Sequence, residues 1–111
     1  MVRPTRFEIT EQARGETLVL SITGELDLST VPQLARRVEE KLAGKLTTLT
    51  LDLAELTFMD SSGLRLLIEL DRRARQESWT LTLIPSKHES ANTVLRLTGA
   101  NTALPFEASA P

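Results

Sequence analysis

Cysteine is absent from this 111-residue chain, which excludes a disulfide scaffold, a thiolate metal site and a cysteine nucleophile. Histidine occurs once, at His88, and one imidazole without thiolates does not make a usual zinc site. It lies in a polar stretch and reads as a solvated residue in the first turn of a helix. A surplus of one charge is missing too: 13 Lys+Arg against 15 Asp+Glu give a formal charge of −2. No basic field draws in nucleic acid, and no basic amphipathic helix asks for an anionic membrane. The apolar runs are only a few residues long, far short of a bilayer span, and residues 1–6 lack the apolar core that would follow the charges of a signal peptide. The expectation is a cytoplasmic protein of one domain over residues 1–111, with a frayed tail from about residue 107. Aromatic residues are few (Phe7, Phe58, Trp79, Phe106), so leucine, isoleucine and valine must supply the core.

The stretch Phe58-Met59-Asp60-Ser61-Ser62-Gly63-Leu64 joins two different periodicities. Before it, residues 48–53 alternate apolar and polar, which is strand spacing. After it, Leu64, Leu67, Ile68 and Ala74 recur at helix spacing to about residue 76, with Arg65, Glu69, Arg72 and Arg73 between them. The heptapeptide therefore reads as a strand-to-helix connection, with its serines at a helix N-terminus. Free N–H groups and the helix dipole there favour an anion, so a phosphate on one serine would be held at its attachment point.

Elsewhere residues 7–11 alternate, residues 13–16 form a turn, and residues 17–23 make a second strand with Leu18, Leu20 and Ile22 on one face; an antiparallel hairpin is the simplest pairing. Residues 24–28 lead into a helix that Ser29 or Thr30 can cap, with Gln33 three residues after Thr30. Val31, Leu34, Ala35, Val38 and Leu42 form its apolar stripe, and Gly44 closes it as a residue able to adopt positive φ. Residues 79–84 form another strand. Ser86-Lys87-His88-Glu89 has capping-box spacing, and Ala91, Val94, Leu95 and Thr98 give a helical face ended by Gly99. Residues 103–106 suit a short edge strand, since Pro105 would spoil a central one. The order β-β-α-β-α-β-α-(β) argues an α/β fold with a largely parallel sheet after the opening hairpin.

No enzyme is legible here. Ser61 lacks the G-x-S-x-G elbow and an ordered base, and neither G-x-x-x-x-G-K-[ST] nor G-x-G-x-x-G occurs, so no catalytic residue and no cofactor are expected. Asp60-Ser61-Ser62-Gly63 has a plain alternative as a helix cap, and Asp27 has the same one. Yet Gly63 sits in a first turn, where it costs about 1 kcal/mol relative to alanine, which suggests close approach by a backbone or a partner. If the strands over 17–23 and 48–53 are parallel neighbours, Asp27 and Ser61 share an edge of the domain. Leu66, at the margin of its helix's apolar arc, is either buried or part of a small partner-facing patch.

The segments Ile22-Thr23-Gly24-Glu25-Leu26-Asp27, Leu51-Asp52-Leu53 running into residues 58–64, and Leu95-Arg96-Leu97-Thr98-Gly99 together resemble the STAS domain, and the intact Asp-Ser-Ser-Gly is most similar to the anti-anti-sigma factors. The resemblance spans residues 18–106. It implies a STAS-like mixed sheet and phosphorylation of Ser61 by a partner that is both anti-sigma factor and serine kinase of the ATPase fold. The unphosphorylated form would bind that partner and free a sigma factor, the phosphorylated form would let go, and a phosphatase would reset it. Asp27 matches a family aspartate engaged in partner binding. The candidate partner-binding set is Asp27, Asp60, Ser61, Ser62, Gly63 and Arg65. Arg65 departs from the small residue that many relatives carry; four residues after Ser61, it could reach a phosphate there or change which partner fits. Residues 76–78 replace a glycine turn often seen in relatives. The alternatives are a constitutive STAS adaptor in a transport or stress-signalling assembly and, third, a nucleotide- or small-ligand-binding domain.

Overall fold

The computed structural model describes residues 6–107. Residues 1–5 and 108–111 lie outside it, and with them most of the expectations for the chain start and the tail. The order is β1 (Glu8–Arg14), β2 (Thr17–Leu26), α1 (Val31–Leu42), β3 (Thr48–Asp52), β4 (Leu56–Met59), α2 (Ser61–Glu77), β5 (Thr80–Ile84), α3 (Glu89–Thr98) and α4 (Ala100–Ala103). Among the described residues no helix is long and apolar enough to cross a membrane.

Strand alternation sets the sheet. Leu18, Leu20 and Ile22 on β2, Leu49 and Leu51 on β3, and Leu81 and Leu83 on β5 are buried, and the register places Leu20 beside Leu51 and Leu51 beside Leu83. The opposite face is partly exposed and rich in threonine, a β-branched residue that keeps strand preference without burying apolar surface. The sheet order is β1-β2-β3-β5; β1 pairs with β2 antiparallel, and the other pairs are parallel. The hairpin turns at Gly15, whose φ of +60° suits the first central position of a II′ turn. On the exposed edge strand β1, Glu11 pairs with Lys41 at 2.6 Å and Arg37 at 3.2 Å, both on α1. The Lys41 hydrogen bond, with both cations nearby, holds the Glu11 carboxyl below its usual value.

The strand β4 was not expected, and it is what places the site. β2 continues to Leu26, past the predicted end at residue 23, and its last residues leave β3 behind and pair with β4. The β3 pairing ends at Ser21 and the β4 pairing begins at Gly24, and within the latter a register shift between Gly24 and Glu25 skips Thr57. After β3 the chain turns at Leu53, whose carbonyl accepts from Leu56 N–H at 3.0 Å, while Asp52 Oδ1 accepts from Ala54 N–H. It then re-enters as β4, with α3 packed against it.

Other departures have local causes. Thr30 is the N-cap residue of α1 but makes no capping hydrogen bond with its side chain; the hydroxyl instead donates to Glu25 O at 2.7 Å. Gly44 has no positive φ, because α1 ends on Ala43 in right-handed geometry. Ser86 forms no capping box: its hydroxyl accepts from His88 N–H and donates to Leu56 O, tying the loop to β4, and His88 is the exposed N-cap position of α3. Residues 103–106 are not a strand, since α4 takes Ala103 and only Phe106 bridges Leu83 of β5. On α2, Leu70 is buried where Ile68 was expected to be, Ile68 is half exposed, and Leu66 is partly buried against the core.

The left-handed helix end falls on Ser78 (φ 62°), in the segment that lacks a glycine, and Trp79 N–H donates to Ala74 O beside it. A Cβ in this conformation costs about 1 kcal/mol. Ser78→Gly should therefore stabilise the domain by about 1 kcal/mol, read as a higher urea midpoint at unchanged slope. A lower midpoint would contradict it.

Candidate functional site

The register that pairs Leu26 with Met59 ends β2 and β4 side by side. The next residues are Asp27 and Asp60, and the Asp60 N–H donates to Leu26 O at 3.2 Å. Each strand is thus followed by an aspartate in the same place, leading into Leu28 of the link to α1 on one side and into Ser61, the start of α2, on the other. Asp27 and Ser61 do share an edge of the domain, but the pairing that aligns the two strand ends is β2 with β4 and not β2 with β3.

Each aspartate folds its own loop. Asp60, in extended backbone, caps α2: its Oδ1 accepts from Ser62 N–H at 2.8 Å and Gly63 N–H at 3.3 Å. This corrects the expectation of an open anion seat at the helix start, because the carboxylate already takes two of the first-turn donors. A phosphate on Ser61 would meet that negative charge. Asp27 Oδ1 accepts from Ser29 N–H at 3.0 Å, Ser29 Oγ at 2.8 Å and Thr30 N–H at 3.2 Å. These hydrogen bonds, that from the Ser29 hydroxyl first, hold the Asp27 carboxyl below its usual value.

The sign of that shift fixes a pH dependence. A carboxyl whose folded pKa is depressed stabilises the fold above its unfolded pKa, about 3.9, and loses that contribution as pH falls through the folded value. Asp27→Asn keeps the acceptor and removes the titration. Wild type should therefore lose more melting temperature than Asp27→Asn as pH falls below about 4. Equal losses would contradict the role of the carboxylate.

Ser61 is the first residue of α2 and is exposed, and its hydroxyl makes no hydrogen bond among the described residues. With Ser62, Arg65, Leu28 and Val31 it lines a depression of about 230 Å³. Gly63 points the other way. It is buried, and a Cβ there would lie 2.7 Å from Met59 Cγ and 3.0 Å from Leu26 Cδ2, so the close approach is made by the ends of β4 and β2. Leu28 and Val31 were missed as site residues. Leu28 is 76% exposed between Asp27 and Ser29, and an apolar residue with no periodic partner in a polar link was its only signal. Among the described residues no group of three or more His, Cys, Asp or Glu could hold a metal ion.

The family model described as Mlab, STAS domain, matches residues 9–105. The anti-sigma-F factor antagonist RsfB of Mycobacterium tuberculosis is 33% identical over 76 residues, which are 68% of this chain and 62% of that protein, less than two thirds of its length. The structure of the anti-sigma factor antagonist SpoIIAA in its unphosphorylated form superposes with a TM-score of 0.74 at 24% identity, covering 95% of this chain and 89% of that one. The Bacillus cell fate determinant SpoIIAA in the phosphorylated form gives 0.68 at 25% identity, covering 95% and 92%. The matched family region contains all of β2, β4 and α2, the elements that build the Asp27–Ser61 edge, and the chain belongs to the STAS domain family.

Proposed function

We propose that this chain is an anti-sigma factor antagonist whose hold on an anti-sigma factor is switched off by phosphorylation of Ser61. The observation that carries this reading is the exposed Ser61 hydroxyl, unengaged among the described residues, in a depression that it shares with Leu28, Val31, Ser62 and Arg65. The names of the similar proteins support it, and SpoIIAA, which shares the fold, is described in both unphosphorylated and phosphorylated forms. The partner docks over the loop after β2 and the first turn of α2, where Asp27, Asp60, Ser62, Gly63 and Arg65 set the shape and charge around the serine. That partner is also the kinase: the γ-phosphoryl group of ATP passes to Ser61 Oγ as the bond to the β-phosphate oxygen breaks, ADP leaves, and the hydroxyl proton goes to a base of the kinase and on to solvent. The product adds about two negative charges and three acceptor oxygens beside the Asp60 carboxylate. Their bulk and charge oppose the surface that bound the unmodified serine, and the complex opens. A phosphatase restores the hydroxyl. In this scheme the chain is a ligand and a substrate in the cytoplasm, without a cofactor and without catalysis of its own.

Phosphate mapping tests it. Incubated with extract of its native host and ATP, the wild-type chain should gain one phosphate, on Ser61 by fragment mass, and Ser61→Ala should gain none. A phosphate that appears elsewhere, or one that persists in Ser61→Ala, would overturn the assignment.

A further inference from the structure

We infer that Arg65 is the internal receptor for a phosphate on Ser61, an inference that rests on the reading of Ser61 as the modified residue. The helix α2 carries four arginines, and three are engaged. Arg72 binds both carboxylate oxygens of Glu69 at 2.6 and 2.7 Å, Arg73 pairs with Glu39 and with Glu77 at 3.1 Å, and Arg75 pairs with Asp71 at 3.1 Å. Arg65 makes no ion pair among the described residues. Glu69, the carboxylate one turn further along, is already held by Arg72.

Position does the rest. Residues four apart on a helix face each other about 6 Å apart at Cβ. Side chains lean toward the helix N-terminus, so the Arg65 stem runs back over the first turn toward Ser61. Both residues line the same depression. The backbone competes poorly for the phosphate, because Asp60 already accepts from Ser62 N–H and Gly63 N–H. The guanidinium fork matches phosphate oxygens two at a time. The modification would then do two things at one surface: add a dianion at Ser61 and withdraw the one arginine of α2 that is open to a partner's carboxylate.

The test needs no kinase. Phosphoserine is installed at position 61 during translation in the full chain, in wild type and in Arg65→Gln, and the ³¹P resonance is followed against pH. The second phosphate ionisation lies at about 6 in a free phosphoserine; the Asp27 and Asp60 carboxylates raise it and Arg65 lowers it. In wild type it should lie about 0.5 unit below that of Arg65→Gln, with the gap closing in 1 M salt. Arg65→Lys should restore part of the gap. Identical titrations of wild type and Arg65→Gln would overturn the inference, even if the host does phosphorylate Ser61. A gap in this experiment would stand even if no host kinase uses that serine. Arg65 is exposed and glutamine is a good helix former, so a circular dichroism spectrum matching wild type is expected for the variant.

Discussion

Gly24→Ala should destabilise the domain by about 3 kcal/mol or more. The residue has a φ of +98°, outside the range comfortable for an L side chain. A Cβ there would lie 2.8 Å from Arg6 O and 2.9 Å from Phe7 Cα. Both are backbone atoms, so no rotamer change removes the clash and the entry to β1 must move. The same residue is the first of β2 to pair with β4 and adjoins the register shift in that pairing, so the strain falls on the segment that places Asp27 beside Asp60. Gly15→Ala is the matched control: φ is +60° and nothing lies within 4 Å of the added Cβ, so only the conformational cost of about 1 kcal/mol applies. Urea unfolding of the two variants reads the difference. Equal losses would mean that the approach of β1 to Gly24 has no energetic weight.

Leu28→Asp should lower the affinity for the anti-sigma factor proposed as partner about a hundredfold while leaving stability within about 0.5 kcal/mol of wild type. The side chain is 76% exposed, so the fold gains little from it. It lines the Ser61 depression and follows Asp27, whose carboxylate holds the turn that presents it, so under the proposed docking it is the apolar anchor on which a partner buries surface. A carboxylate there would have to be desolvated on docking in place of an apolar side chain, which is where single substitutions cost most. Titration calorimetry with the purified partner and thermal melts of the free variants separate the two effects. Unchanged affinity would place the docking surface elsewhere; a large drop in melting temperature would mean that Leu28 serves the fold.

The fold was legible where local pattern and long-range pairing agree. The alternation of Leu18, Leu20 and Ile22, and of Leu49 and Leu51, marks the buried face of β2 and β3, and Gly99 with φ +79° ends α3 as its position suggests. The strand β4 was hidden because Leu56 and Met59, its buried residues, are three apart; three of its four residues pair with β2, across a register shift that skips Thr57, and the strand carries no period of two. Caps were misread where side chains had better partners at a distance, as with Thr30 and Glu25 O or Ser86 and Leu56 O. At the site, Ser61 and its capping Asp60 were readable because helix starts have a local code. Leu28 was not, since only the exposure of the folded loop separates an anchor from a core leucine.

The most direct measurement is capture from extract of the native host on immobilised wild type and Ser61→Asp, with the bound proteins identified by mass spectrometry. The account predicts that wild type retains an anti-sigma factor with an ATPase-fold kinase domain and that Ser61→Asp, folded to the same melting temperature, loses it. If both baits retain the same partner equally, or if both hold transporter or scaffold subunits in its place, Ser61 is no switch and the chain is a constitutive adaptor.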